Sequence, residues 1–160
     1  MNFTIRPSQL EEPAIIQLLS DHLEDMRRIS PPESVHALDL HQIRESAVSF
    51  WGAWSDEKLL GCGALKALSA TAGEIKSMRT VSSYRSQGIG RHLLDHILSE
   101  ARQRGYSRVS LETGSQPEFE PARRMYAKAG FTICGPFADY REDPNSVFMS
   151  FTLSGFEKTS

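Results

Sequence analysis

Tyr84-Arg85-Ser86-Gln87-Gly88-Ile89-Gly90-Arg91 joins a β-like run, Glu74 to Val81, to a strongly amphipathic helix. Two glycines in three residues let the backbone turn tightly and approach a ligand closely. The first helical turn then offers free N–H groups at the positive end of the helix dipole. Such a junction is a seat for phosphate that needs neither a metal nor a lysine side chain. It is not a P-loop, because Gly-x-x-x-x-Gly-Lys-Ser/Thr occurs nowhere in the chain. A dinucleotide fingerprint fits poorly as well. Gly88 and Gly90 match Gly-x-Gly-x-x-Gly, but Leu93 stands where the third glycine would let helix and strand pack closely. What remains is Arg-x-x-Gly-x-Gly, read from Arg85 to Gly90, or a glycine-rich turn with no ligand.

Working outward, 160 residues suit one domain with a real core, spanning 1–160. Apolar content of 39% and charged content of 24% are those of an ordinary globular chain. A net charge of −2 leaves no electrostatic footprint for nucleic acid. Cys62 and Cys134 sit in apolar surroundings at a spacing that fits no zinc motif. They read as reduced packing residues of a cytoplasmic protein, with no metal implied. The N-terminus does not read as a signal peptide, and no apolar run is long enough for a membrane helix.

Upstream of the glycine turn, Phe3 to Arg6 alternates as a short strand, and Pro13 opens a helix with Ile15, Ile16, Leu18, Leu19 and Leu23 on one face. Pro31-Pro32 ends it, and a weaker helical stretch runs roughly from Ser34 to Arg44. Val48 to Trp54, a polar turn, and Leu59 to Leu68 form a hairpin. Downstream, Gly88 to Arg104 is a helix that stops at Gly105, followed by a strand, Arg108 to Thr113. Pro121 starts another helix, ended by Gly130, and Phe131 to Cys134 and Val147 to Leu153 close the sheet. Hairpins before one β-α-β crossover predict a mixed α/β sheet.

Two segments carry a family resemblance. Arg85 to Gly90 resembles the acyl-coenzyme A signature of the GNAT N-acetyltransferase superfamily. Ala122-Arg123-Arg124-Met125-Tyr126-Ala127-Lys128-Ala129-Gly130-Phe131 resembles that family's Ala-x-x-Leu-Tyr-x-x-x-Gly-Phe, with Met125 in place of Leu. The order of elements is similar to the GNAT order along nearly the whole chain. The resemblance implies a GNAT-type α/β fold: a mixed, mostly antiparallel sheet, helices on both faces, and a cofactor cleft where the fourth and fifth strands splay. It implies an acetyl-CoA-dependent N-acetyltransferase, an acyltransferase working by direct transfer in a ternary complex. The acceptor would be a primary amine of a small or amino-acid-like molecule. A protein N-terminus or lysine, or a non-catalytic acyl-CoA-binding module, are the alternatives.

Carried over residue by residue, the resemblance places the cofactor's pantetheine arm on the backbone of Met78, Arg79 and Thr80. The pyrophosphate would lie on the N–H groups of Gln87, Gly88, Ile89, Gly90 and Arg91, with the Arg85 side chain adding charge and Ser86 of the same turn also at the cofactor. Tyr126 is the candidate acid, because a phenol can donate a proton to a thiolate of comparable basicity. Glu74, eleven residues before Arg85, is the candidate base. Glu112 and Glu118 read as strand-end and loop positions. An Asn common seven residues before the tyrosine is Phe119 here, so any contact it makes is lost or replaced. By family geometry the acceptor pocket is walled by His22, Asp25, Met26, the Arg79 region and the loop from Gly135 to Ser146. There Asp139 and Tyr140 would meet an ammonium, and Arg141 a carboxylate. A homodimer is expected, because Val147 to Leu153 reads as an apolar last strand in need of cover.

Overall fold

The computed structural model describes residues 2–8, 11–32 and 48–153. The helical stretch expected at Ser34 to Arg44 lies outside them. The elements are β1 (Thr4–Pro7), α1 (Pro13–Ile29), β2 (Val48–Ser55), β3 (Lys58–Ala67), β4 (Ala72–Thr80), α2 (Ile89–Gln103), β5 (Arg108–Gly114), α3 (Glu120–Ala129), β6 (Thr132–Cys134) and β7 (Ser146–Thr152). They build one seven-stranded sheet in the order β1-β2-β3-β4-β5-β7-β6, with neighbours antiparallel except β4 and β5. This is the mixed, mostly antiparallel sheet that the sequence predicts.

Helices cover both faces because apolar stripes of the right period exist on both sides. Ile15, Leu18 and Leu19 of α1 bury against Phe50, Trp54, Cys62 and Ala64. On the opposite face Ile89, Leu93, Leu94 and Ile97 of α2 bury against Leu65, Ile75, Val109 and Leu111. Complete burial of Leu93, Leu94 and Ile97 contributes about 1.5–3 kcal/mol each. Trp51 and Trp54 are both core residues.

Two irregularities of β4 make the cleft. First, β4 and β5 pair only from Ala72↔Arg108 to Ile75↔Leu111. Beyond that, β4 stays with β3 as far as Thr80↔Gly61, and β5 stays with β7 as far as Gly114↔Ser146. The strands splay from Ile75 and Leu111 onward. Second, β4 bulges: the register against β3 jumps from Ala64↔Lys76 to Cys62↔Arg79, and Ser77 is left-handed at φ 57°. Cross-strand partners share a face, so Glu74, Lys76 and Arg79 all look toward α1. Met78 falls on the α2 side over Gly63, where an added Cβ would meet its sulfur at 2.5 Å. The buried Cys62 thiol donates to the Ser77 carbonyl at 3.3 Å and supports the bulge.

β7 corrects one premise of the expected dimer. It is paired on both sides, by β5 and β6, and needs no further cover. The outer edge is the three-residue β6, where Ile133 is 76% exposed.

Candidate active site

The splay opens into a cleft of about 740 Å³ that brings together every candidate catalytic and cofactor-binding residue except Gln87. Glu74, Met78, Arg79 and Thr80 come from β4. Arg85, Ser86, Gly88, Ile89, Gly90 and Arg91 come from the turn and the start of α2, and Tyr126 from α3.

At the mouth, Gly88 is the N-cap of α2 with φ 83°, and no side chain caps the helix. Ser86 is also left-handed, at φ 67°. Left-handed residues in such a turn help gather N–H groups into an anion-binding concavity. A Cβ on Gly88 would have nothing nearer than the His92 ring at 3.8 Å, so the space over the helix start is open. The His92 ring bonds back to the Gly88 carbonyl at 2.8 Å and stays on the exposed rim with Arg91. Phe119, standing where the related pattern has Asn, lines the cleft. Its ring packs against Gly114, while Arg123 binds the carbonyls of Gly114 and Gln116 at 2.6 and 3.0 Å.

In the depth of the cleft, Tyr126 is buried with its ring 5.7 Å from that of Phe131. Burial pushes its phenol well above the usual range, so it holds its proton at any working pH and suits a donor. Glu74 is also buried and belongs to a network that the sequence reading missed. The Tyr140 hydroxyl donates to Glu74 Oε2 at 2.5 Å, and Lys76 Nζ donates to Tyr140 Oη at 2.8 Å and to the same carboxylate oxygen at 3.3 Å. Burial and the Glu74 charge raise the Tyr140 pKa, so the phenol remains the donor. Glu112 lines the cleft beside this network and accepts from the Ser146 hydroxyl at 2.7 Å. Tyr140 is held by ring contacts with Phe137 and Phe148. Asp139 and Arg141 of the same loop are exposed and do not line the cleft, so they do not form the wall expected of them.

The opposite wall is the end of α1. Arg79 bonds Asp25 at 2.6 Å, and Arg28 bonds the other carboxylate oxygen at 3.1 Å. These hydrogen bonds hold the Asp25 carboxyl below the usual range. His22 lines the cleft, and desolvation, helped by nearby Arg79, lowers its pKa from 6.5 to about 4. An unfolded His22 binds a proton from pH 6.5 downward, while the folded one resists it until about pH 4. Stability therefore falls as pH falls through that window, by up to about 3 kcal/mol at its lower end. His22→Gln is expected to flatten the drop in Tm between pH 6.5 and 4, measured by thermal melts in a buffer series. An unaltered slope would place the acid sensitivity elsewhere.

Among the described residues no cluster of His, Cys, Asp and Glu could hold a metal ion. Both cysteines are free, and burial raises the Cys62 thiol to about 12, so it is inert.

Residues 15–131 match the acetyltransferase (GNAT) family. The chain is 53% identical over 139 residues to the uncharacterized N-acetyltransferase YsnE of Bacillus subtilis, covering 87% of this chain and 92% of the relative. It is 48% identical over 151 residues to the uncharacterized N-acetyltransferase YedL of Escherichia coli, covering 94% and 95%. The crystal structure of a GNAT family acetyltransferase from Elizabethkingia anophelis, with acetyl-CoA bound, superposes with a TM-score of 0.70 over 95% of this chain and 99% of that one. At 20% identity it speaks for the fold.

Proposed function

This chain belongs to the acetyltransferase (GNAT) family and is an acyltransferase, and we propose that it moves acetyl from acetyl-CoA to a primary amine of a small or amino-acid-like acceptor. Transfer is direct, with both substrates bound. The observation that carries this reading is the union, in one cleft, of an unpaired strand edge, an uncapped helix start and a buried protonated tyrosine.

The residues present fit the cofactor. The free edge of β4 from Met78 to Thr80 pairs with the amide-bearing pantetheine arm. The N–H groups of Ile89, Gly90 and Arg91 receive the pyrophosphate, and Arg85 adds its charge. Acetyl-CoA supplies an acetyl group as a thioester. A C–N bond forms as the C–S bond breaks, one amine proton passes to Glu74, Tyr126 gives its own proton to sulfur, and the phenolate is reprotonated through solvent as Glu74 releases the proton it took. The products are an amide and a free thiol. The Tyr140 and Lys76 bonds keep Glu74 fixed beside this path.

A thiol-release assay over an amine panel, with product masses, tests this directly. Turnover without amine acetylation would favour a hydrolase, and tight acetyl-CoA binding without turnover a regulatory module. The free thiols support a reducing, cytoplasmic setting. The exposed edge of β6 supports a homodimer through Ile133. Light scattering should give twice 17.9 kDa, and Ile133→Lys should return it to a single mass. A wild-type monomer ends that part of the reading.

A further inference from the structure

The wall formed by α1 and the β4 bulge holds three buried polar atoms with no hydrogen-bond partner among the described residues: His22 Nδ1, Ser77 Oγ and Arg79 Nε. All three residues line the cleft. Buried polar atoms are nearly always satisfied, so three orphans on one wall mark where a ligand completes the structure.

Charge and chemistry narrow that ligand. Among the described residues Arg79 and Arg28 share the single carboxylate of Asp25, which leaves these three groups one positive charge in excess. Asp25 takes Arg79 Nη2 and leaves the Nε–H to donate. Ser77 adds a hydroxyl donor. His22, neutral near pH 7, adds a ring nitrogen without competing charge. Two donors and an excess cation suit a carboxylate. Farther along the same face of β4 the cleft holds the buried Glu74 carboxylate, with Glu112 of β5 beside it. A guanidinium with a free donor at one end and carboxylates at the other complement a molecule that is anionic at one end and cationic at the other.

We propose that the acceptor is an amino carboxylate, its carboxylate seated on Arg79, Ser77 and His22 and its amine turned toward Glu74 and Glu112. The proposal rests on the transferase reading above and adds what that reading leaves open. Asp25 is a positioning residue, holding the Arg79 guanidinium against the end of α1.

The test compares amino acids with their own carboxamides as acceptors, with acetyl-CoA and the intact protein. The wild type is expected to favour the carboxylates on the order of 10²-fold in kcat/KM, mostly through KM. In Arg79→Gln that preference should collapse. A preference is a ratio within one protein, so a general loss of activity cancels. Equal use of carboxylates and carboxamides by the wild type overturns the proposal, and so does an unchanged ratio in a folded Arg79→Gln. The wild-type comparison decides the matter even where the variant does not fold. If no amine is acetylated, the transferase reading fails, and the anchor is judged by calorimetry with N-acetylated amino acids and coenzyme A. Saturable binding of these carboxylates, lost in their carboxamides, sustains the anchor; binding of both or of neither removes it.

Discussion

Tyr126→Phe is expected to lower kcat on the order of 10²-fold or more, the scale of a lost general acid, while acetyl-CoA affinity and Tm stay near wild type. The ring is what packs: it lies in the core against Phe131, and Phe retains it. Among the described residues none hydrogen-bonds the hydroxyl, so its removal orphans no partner. Glu74→Gln gives the contrast. Gln keeps an acceptor oxygen for Tyr140 and Lys76 but takes no proton. Its lost activity should recover in part at high pH, where the amine is already neutral. Tyr126→Phe should show no such recovery, because alkali does not restore a proton donor. Near-normal turnover by Tyr126→Phe would reduce the residue to a packing tyrosine.

Gly88→Asp is expected to abolish measurable acetyl-CoA binding at ordinary concentrations and to leave the fold intact. A carboxylate at the start of α2 favours the helix itself, and Asp tolerates φ 83° better than most residues. The same charge repels a phosphate seated there. At about 4 Å and an effective dielectric near 20 the repulsion is about 4 kcal/mol, close to 10³-fold in affinity. Gly88→Asn has the same shape without the charge and should lose far less. Calorimetry on the two variants separates charge from bulk, and equal affinity in both would move the phosphate seat away from this turn.

What could be read in the chain was local. The glycine turn, the amphipathic α2 and the motif around Tyr126 each lie within a few turns of backbone, and period and punctuation reveal them. The α1 residues His22, Asp25 and Met26 were placed by resemblance, and they do line the cleft. The network around Glu74 was not legible. Tyr140 lies 66 residues from Glu74, and only the β5–β7 register brings its loop back across the strands. Lys76 and Ser77 carry no motif, and the bulge between them has no glycine or proline to announce it. The position of β7 was missed for the same reason, since strand order depends on pairings far apart in sequence.

The bulge also sets how this strand can change through descent. A β-strand is a two-phase register, and an inserted residue switches the phase for everything after it. Glu74 and Lys76 are written in one phase and Arg79 in the other, yet all three arrive on the same side. Losing the extra residue would restore plain alternation and leave Arg79 opposite Cys62, on the same side as before. Gaining one more would carry Arg79 to the α2 side and deliver Met78 in its place. Exchanges of side chain, and even loss of the bulge, therefore keep the charge on the cleft face, whereas a further insertion at Ser77-Met78 reverses it.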